Sequence, residues 1–205
     1  MRINKRKKLI CGVGVNDADY NVCETIMING KQKIVWTCPF YVKWTGMLGR
    51  CYDPKFQTKN LRYKGCSTIP QWHLFSNFRS WMEHQDWEGK DLDKDILFPG
   101  NKIYGPDTCV FVDSNVNTFL IEGNAKRGEW PIGVIFHKRR GKFMASCRSV
   151  ETGKQQYLGL FKTAEEAHSA WLSFKLQQAY ILAAQQCDLR VAKALIDRYE
   201  DYKIV

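Results

Sequence analysis

The sequence predicts an α+β protein, and three patterns carry that prediction. Aromatic side chains recur at helical spacing between residues 40 and 87, three runs between residues 133 and 161 alternate as strands do, and a capped helix begins at Thr163. The chain has 205 residues, 44% of them hydrophobic, which is enough to bury the cores of two small domains. We therefore expect a domain with aromatic-rich helices, followed by a three-stranded antiparallel sheet packed on a helix.

The first 37 residues are predicted to form a basic arm and a β-hairpin. Residues 1–8, with the sequence MRINKRKK, are strongly cationic and are expected to gain order only on contact with phosphates. Two strand-like runs, Thr25–Ile28 and Lys33–Trp36, flank Asn29 and Gly30. An Asn-Gly pair between such runs is typical of a tight hairpin turn.

The sequence contains no pattern for membrane insertion or secretion. No window approaches the apolar length that a membrane span needs, and the short apolar stretch after the arm is broken by Asn16, Asp17 and Asp19. We therefore expect a cytoplasmic protein.

The eight cysteines are predicted to be reduced and mostly buried, because their spacing is wide and irregular. A structural zinc ion held by Cys38, Cys51, Cys66 and Cys109 is the alternative. None of these four residues belongs to a C-x-x-C pair, so the spacing favours core thiols over zinc.

The segment 38–122 is predicted to be a domain of its own with amphipathic helices. Two sets of aromatic and apolar residues recur at i, i+3 spacing, namely Trp44 with Met47, and Trp72 with Phe75, Phe78 and Trp81. This spacing favours a helical core, with a base-stacking platform as the alternative. A polar, glycine-containing stretch at 121–129 marks the boundary with the last segment, 123–205.

A cluster of acidic residues lies late in the middle segment. Clustered carboxylates repel one another unless they are solvated, paired or bridged by a cation, and Mg²⁺ takes one or two of them together with substrate phosphates. The cluster is therefore either a solvated acidic loop or part of a metal site. Its members are Glu83, Asp86, Glu88, Asp91, Asp93 and Asp95.

The last segment begins with the pattern of three short strands. The runs Gly133–Phe136, Lys142–Arg148 and Gln155–Phe161 are separated by turn signals, and the second run alternates as a half-buried strand does. This order predicts an antiparallel sheet.

Two helices are predicted after the third strand. Thr163 and Glu166 form a capping box that opens a long helix, which is expected to end at about Gln186. Asp188 is expected to cap a second helix that ends at about Tyr199.

Positive charge is concentrated on the predicted sheet. From Lys126 to Lys162 nine Lys and Arg residues stand against two Glu residues, a surplus of seven in a chain of net charge +10, whereas Cys38 to Ala125 balances ten against ten. Cations interleaved with aromatic side chains are typical of nucleic-acid contact, and a solvated basic face is the alternative. The residues expected to bind double-stranded DNA are Lys138, Arg139, Arg140, Lys142, Phe143, Arg148 and Tyr157.

The order of short motifs in this segment resembles the plant ethylene-response-factor (Apetala-two type) DNA-binding domain, over roughly forty residues. The motifs are Gly-Val at 133, Gly-Lys-aromatic-x-Ala at 141, Tyr-Leu-Gly-x-Phe at 157, Thr-Ala-Glu-Glu-Ala at 163 and Ala-Trp at 170. In that family a three-stranded sheet lies in the major groove. The resemblance implies DNA contacts by Lys142, Phe143, Arg148 and Tyr157. The family's arginine after Gly-Val is Ile135 here, which implies an altered or looser sequence preference.

The middle segment resembles the HNH (ββα-metal) endonucleases. The motifs LDKDIL at 92–97, GN at 100–101, PDTCVFV at 106–112 and NVN at 115–117 follow the family's strand-loop-strand-helix order. Residues 44–117 are similar to phage-encoded proteins of this type, some of which carry an ethylene-response-factor-like domain at the C-terminus. In the family an Asp on the first strand and an Asn or His on the helix hold a metal ion. The resemblance implies Asp93, Asp95 and Asn117 as ligands of Mg²⁺ or Mn²⁺.

The family's general base, a His beside the ligand Asp, corresponds to Lys94 here. The candidate catalytic residues are therefore Asp93, Lys94 and Asn117. A lysine side chain is already protonated at neutral pH and accepts no further proton unless burial or neighbouring groups lower its pKa strongly. The candidates for a substitute base are His73 and His84, which both precede the motif.

Together these patterns predict a DNA-binding protein that resembles phage HNH homing endonucleases and acts in the cytoplasm of the host cell. If it is active, it hydrolyses phosphodiester bonds of double-stranded DNA with the help of a metal ion. The alternative is a catalytically inactive, HNH-derived DNA-binding regulator, or an inhibitor of a host protein, because Lys94 replaces the base.

Overall fold

The computed structural model describes residues 9–120, 129–200 and 202, and its architecture is α+β, as predicted. The chain divides into two compact units, Met1–Val112 and Asp113–Val205. The basic arm at 1–8 and most of the predicted boundary stretch, residues 121–128, lie outside the described residues. The division of the chain into three segments stays a prediction.

The first unit contains the predicted hairpin. Strand β1 (Cys23–Ile28) pairs antiparallel with β2 (Lys31–Thr37), so the prediction of a hairpin is confirmed. Asn29 and Gly30 form the turn with φ angles of 50° and 71°, in the left-handed region that glycine and asparagine tolerate. Most side chains of both strands are exposed.

Three helices and two 3₁₀ turns follow the hairpin. A proline near the first position opens α1 and α2, where its missing N–H leaves no helical hydrogen bond unmade. These elements are α1 (Pro39–Tyr52), α2 (Pro54–Lys59), the turn Leu61–Tyr63, the turn Pro70–His73 and α3 (Phe75–Met82).

The aromatic residues with helical spacing form the core of the first unit. Trp44, Trp72, Phe75 and Phe78 are each no more than 2% exposed, and the indole N–H of Trp44 donates to the carbonyl oxygen of Trp72 at 2.7 Å. The prediction of a helical core is therefore confirmed. These rings are not available for stacking on bases, since they are buried against one another.

Four very short strands join the polar motifs to this core. β3 (Ser67–Thr68) pairs in parallel with β5 (Ile103–Tyr104), and β4 (Asp91–Asp93) pairs antiparallel with β6 (Val110–Val112). Leu92 on β4 is buried in the same core as the tryptophans. The polar ends of β4 are consequently held on a rigid support.

The second unit contains the predicted three-stranded antiparallel sheet, in which the strand Lys142–Arg148 is the central one. The capping box before the long helix is present, since the Glu166 N–H donates to Thr163 Oγ1 at 3.1 Å and the Thr163 N–H donates to Glu166 Oε2 at 3.4 Å. The elements are α4 (Ser114–Phe119), β7 (Val134–His137), β8 (Lys142–Arg148), β9 (Gln155–Phe161), α5 (Ala164–Ala183) and α6 (Leu189–Glu200).

Small side chains let the sheet pack closely on α5. Ala145 of β8 and Ala167 of α5 are both fully buried, in one cluster with Val134. At the start of the sheet, Gly133 has a φ of 81°, and a Cβ added there would lie 2.0 Å from Trp171 Cδ1. Only glycine fits at this position, for both conformational and steric reasons.

Within the described parts of the chain, no helix combines the length and the apolar character that a bilayer crossing requires.

We expect Gly133→Ala to lower the free energy of unfolding by at least about 2 kcal/mol, because the new methyl group would overlap the Trp171 ring. Gly141→Ala is the control: Gly141 also has a positive φ, 57°, but no atom lies within 4 Å of an added Cβ. Gly141→Ala should lower the free energy of unfolding by about 1 kcal/mol. Urea unfolding of both variants measures the difference, and equal losses would contradict the steric argument.

Candidate nucleic-acid interface and candidate metal site

The two faces of the β7–β8–β9 sheet differ in what they contact. Residues that pair across antiparallel strands point to the same face. Val134 pairs with Ala145, and Phe136 pairs with Phe143, on the face that packs toward α5. The pairs on the other face include Ile135 with Met144, and this face has no packed helix in the same core cluster.

The outer face carries a cation at each end of its central strand. Lys142 pairs with His137 at one end of β8, and Arg148 pairs with Gln155 at the other. Lys142 and Arg148 are both exposed. Because strand residues rise about 3.3 Å each, the two cations are separated by roughly 20 Å along β8.

The Arg148 end of the outer face is polar and aromatic, whereas the neighbouring row on the same face, Ile135 with Met144 and Leu160, is apolar. Tyr157 pairs with Ser146 and is 56% exposed. The amide of Gln155 donates to Ser146 Oγ at 2.9 Å, so these two side chains hold each other in place beside Arg148. Hydroxyl, amide and guanidinium groups therefore lie next to one another at this end of the sheet, and all of them can hydrogen-bond to base edges.

The cationic run at the β7–β8 connection forms a short 3₁₀ turn, Lys138–Arg140, and all three side chains are exposed. Gly141 ends the turn in the left-handed conformation, with φ 57°, and β8 begins directly after it. The turn thus places three cations at the same end of the sheet as Lys142. Six of the seven residues predicted to bind DNA are therefore exposed on the outer face or at its rim.

Phe143 is the exception among the residues predicted to bind DNA. Its ring lies 4.8 Å from the Trp130 ring and 5.0 Å from the Phe136 ring, between centroids, and it packs against the buried cluster with Ala145. Alternation along β8 puts Phe143 on the face opposite Lys142 and Met144. The expectation that Phe143 interleaves with the cations of the exposed face is wrong.

Asp93 lies at the end of β4, opposite Val110 of β6. Its Oδ1 accepts the backbone N–H groups of Asp95 at 2.7 Å and of Ile96 at 2.8 Å, which turns the chain out of the strand. Burial and the neighbouring Asp95 carboxylate raise the pKa of Asp93 above the usual aspartate value. The Oδ2 atom takes part in neither of these two hydrogen bonds.

Lys94, at the position of the family's general base, is a buried cation. It is 5% exposed, and its Nζ donates to Asp95 Oδ2 at 3.1 Å. The same Nζ lies 5.9 Å from the centre of the Tyr104 ring. A carboxylate and an aromatic ring are therefore the neighbours of the Lys94 amine.

Asn101 braces the loop between β4 and β5, a role that the sequence analysis did not give it. Its amide donates to the carbonyl oxygens of Lys94 at 2.7 Å and of Ile103 at 2.8 Å, and its Oδ1 accepts the Ile103 N–H at 3.1 Å. Thr108 Oγ1 donates to the same Ile103 oxygen at 2.8 Å. The Gly-Asn pair at 100–101 was the signal that could have indicated this bracing residue.

Asn117, the third candidate ligand, lies on α4 and is half-buried. Asp93 and Asp95 belong to the first unit and Asn117 to the second, so a shared metal ion stays a prediction. Within residues 9–120, 129–200 and 202, no three His, Cys, Asp or Glu side chains lie close enough together to hold a metal ion.

The two histidines considered as substitute bases have different surroundings. His73 Nε2 lies 3.3 Å from the hydroxyl of Tyr52, which also accepts the Thr68 N–H at 3.0 Å. His84 Nδ1 lies 2.7 Å from the carbonyl oxygen of Ser80, one helical turn earlier. Both contacts are to residues outside the β4–β6 motif.

Several carboxylates of the acidic cluster form ion pairs with nearby cations. Arg79 pairs with Glu83 at 2.7 Å, and Lys90 pairs with Asp86, each at i, i+4 spacing. With Asp95 paired to Lys94, at least three of the six carboxylates have cationic partners. The segment from 83 to 95 is therefore not one uncompensated acidic patch.

The cysteines are free thiols, as predicted. Burial raises the pKa of Cys51 and of Cys109 to about 12, so both thiols are protonated at neutral pH. A buried neutral thiol packs as a small apolar group. Cys38 and Cys66 are buried in the same core.

Comparison with known proteins finds no matching family model, no matching curated protein and no matching solved structure.

We expect Asp93→Asn to change the pH dependence of stability. A carboxyl whose pKa is raised by folding contributes stability below its unfolded value, about 3.9, and that contribution is lost as the pH rises through the folded pKa. The asparagine keeps the Oδ1 acceptor but has no charge. Urea unfolding at a series of pH values should therefore show the wild type losing stability relative to Asp93→Asn as the pH rises toward neutral.

The control for this measurement is Asp107→Asn, which changes an exposed carboxyl on a loop of the same unit. Its pH dependence should follow that of the wild type. If Asp93→Asn also follows the wild type at every pH, burial does not raise the pKa of Asp93.

Proposed function

We propose that this protein binds double-stranded DNA through the outer face of the β7–β8–β9 sheet. One observation carries the proposal: the face opposite α5 is exposed and presents Lys142 and Arg148 at the two ends of its central strand, with Tyr157 beside them. The charge surplus of this segment supports a polyanionic partner. The resemblance to the ethylene-response-factor domain supports the same surface.

The chemistry of the face divides into two parts. The exposed turn Lys138–Arg140 offers point charges that suit phosphates, and such contacts set affinity without reading sequence. Arg148, with Ser146 and Gln155 beside it, offers directional donors and acceptors that suit base edges. The major groove of B-DNA admits a β-ribbon, which fits a sheet of this size.

We expect Arg148→Ala to weaken binding to duplex DNA by about 1 to 3 kcal/mol and to reduce discrimination between sequences. Lys138→Ala should instead lower the slope of log affinity against log salt by about 1, because a phosphate contact releases a counterion and carries no sequence information. Fluorescence anisotropy titrations at several salt concentrations measure both effects.

Lys193→Ala is the matched control, since Lys193 is an exposed cation on α6 of the same unit, paired with Asp197. It should leave affinity and slope unchanged. Wild-type protein that does not bind duplex DNA at low salt would overturn the proposal, and the sheet would then be a solvated basic face.

A second candidate function is metal-dependent hydrolysis of DNA by an HNH-like motif. The antiparallel pair β4 and β6 is followed along the chain by α4. Asp93 ends β4, and Asn101 braces the loop that follows this strand. This order of elements supports the resemblance to phage-encoded HNH homing endonucleases, with the host cytoplasm as the site of action. The same motif in an inactive form would suit a DNA-binding regulator or an inhibitor of a host protein.

The residues of the motif fit a hard cation in part. Asp93 has an oxygen outside the turn hydrogen bonds, and carboxylate oxygens are preferred ligands of Mg²⁺ and Mn²⁺. Asp95 is paired with Lys94, which weakens it as a ligand. A cation bound there, with Asn117 as the remaining candidate ligand, would stabilise charge on a leaving oxygen.

We expect Mg²⁺ or Mn²⁺ to raise the melting temperature of the wild type but not of Asp93→Asn, because only a ligand of the folded state stabilises by mass action. The variant keeps the acceptor for the turn, so it separates metal binding from loss of the turn. Asp86→Asn, at an exposed carboxylate of the same acidic segment, is the control. An equal shift in all three proteins would indicate diffuse cation binding.

We expect any nuclease activity of the wild type to be slow at neutral pH, because the residue at the family's base position is Lys94, whose Nζ is paired with Asp95. Lys94→His should increase cleavage by about 10² to 10⁴ with Mg²⁺ present, with a pH profile that levels off above about 6.5. Plasmid cleavage with Mg²⁺ and with EDTA measures this. A folded, DNA-binding Lys94→His protein without activity would favour the inactive regulator.

A further inference from the structure

Three cationic side chains from separate parts of the first unit lie near two tyrosine rings, and a fourth donates to the backbone carbonyl oxygen of one of these three residues. Their segment of the sequence has balanced charge, so only folding brings them together. They come from α1, from the first 3₁₀ turn, from the end of β4 and from the residue before β5. The four residues are Arg50, Arg62, Lys94 and Lys102.

Tyr104 lies between two of these cations. Its ring is 2% exposed, with Arg50 Cζ at 5.5 Å and Lys94 Nζ at 5.9 Å from the ring centre. Aromatic rings attract cations through their quadrupole, most strongly where water is excluded. Tyr104 therefore holds both positive charges in fixed positions.

Tyr63 joins a third cation to the cluster. Arg62 Cζ lies 4.9 Å and Arg50 Cζ lies 5.9 Å from the centre of the Tyr63 ring. Lys102 lies beside Arg62, because its Nζ donates to the Arg62 carbonyl oxygen at 2.7 Å. Arg62 and Lys102 are exposed, so this side of the cluster faces solvent.

Arg50 has fewer partners than a guanidinium usually has. Its Nε is buried and has no hydrogen-bond partner, and among the described residues its side chain forms no ion pair. Among the described residues, Lys94 is the only one of the four cations that is paired with a carboxylate, that of Asp95. A guanidinium that lies near two rings and has no carboxylate partner suits an anionic ligand at its remaining N–H groups, and the preferred ligands of such a group are carboxylates and phosphates.

We propose that Arg50, Arg62 and Lys102, with Lys94 behind them, bind the phosphates of a nucleic-acid strand. This is a second nucleic-acid contact, on the first unit, and it rests on the proposed function only in taking DNA as the ligand. The ligand is a phosphodiester backbone, because Arg62 and Lys102 are exposed, Arg50 is half-buried, and the chain has a second cationic surface for the same polymer.

The test compares two double variants with the same loss of charge. Arg50→Ala/Arg62→Ala removes two members of the cluster, and Lys55→Ala/Lys59→Ala removes two exposed cations of α2 in the same unit. Anisotropy titrations with a duplex are run from roughly 50 to 200 mM salt. The first variant should lower the slope of log affinity against log salt by about 2, and the control should not change it. Equal slopes in the two variants overturn the proposal.

A second arm separates this surface from the sheet. In a Lys142→Ala/Arg148→Ala background, salt-sensitive binding should persist, and its slope should fall further, by about 2, when Arg50→Ala/Arg62→Ala is added. No effect of the added pair overturns this inference and leaves the sheet untouched. Conversely, an effect of the cluster variants together with none of the sheet variants overturns the proposed function and supports this inference.

Further variants and a phosphate control complete the test. Arg62→Ala and Lys102→Ala change exposed side chains, so they replace the double variant if Arg50→Ala unfolds. Arg50→Lys should keep the salt slope and lower the affinity, because a lysine lacks the planar fork. Melting curves with inorganic phosphate identify the other source of the same chemistry. Stabilisation by phosphate that depends on Arg50, with no change in the DNA slope, overturns the assignment to a nucleic acid.

Discussion

The close packing of one face of the β7–β8–β9 sheet on α5 is the constraint on which the candidate interface depends. Ala145 and Ala167 are fully buried between the sheet and the helix, and Gly133 leaves room for the Trp171 ring. Small residues let the two layers approach, and the period of two along β8 then sends every other side chain outward. Lys142 and Arg148 face away from this core because Phe143 and Ala145, at the alternate positions of β8, belong to it.

In the first unit, charged groups are held on a small aromatic core. Lys94 is nearly buried, yet Asp95 and the Tyr104 ring both stabilise its ammonium. A buried charge without such partners would be costly. Asn101, by bonding to the carbonyl oxygens of Lys94 and Ile103, fixes the loop in which these charges lie.

The two units differ in how their cations are distributed along the sequence. In the second unit the cations are close in sequence, and the exposed turn Lys138–Arg140 follows from the composition of a single loop. Between Cys38 and Ala125 the Lys and Arg residues equal the Asp and Glu residues in number, and Arg79 and Lys90 partly neutralise the carboxylates of the acidic segment at helical spacing. Arg50 and Arg62, which form no ion pair among the described residues, lie over the Tyr63 ring and make a local surplus of positive charge that a count along the chain does not show.

Local sequence patterns are sufficient for the hairpin at Asn29 and Gly30, the capping box at Thr163, the helical core and the three strands, because turns, caps and periodicity depend on residues within a few positions of one another. Long-range packing, by contrast, turns Phe143 toward the core, places Lys94 near Tyr104, and brings Arg50 and Arg62 to the same Tyr63 ring. Those outcomes depend on which faces pack and on contacts between residues far apart in the chain, and no local pattern encodes such distances.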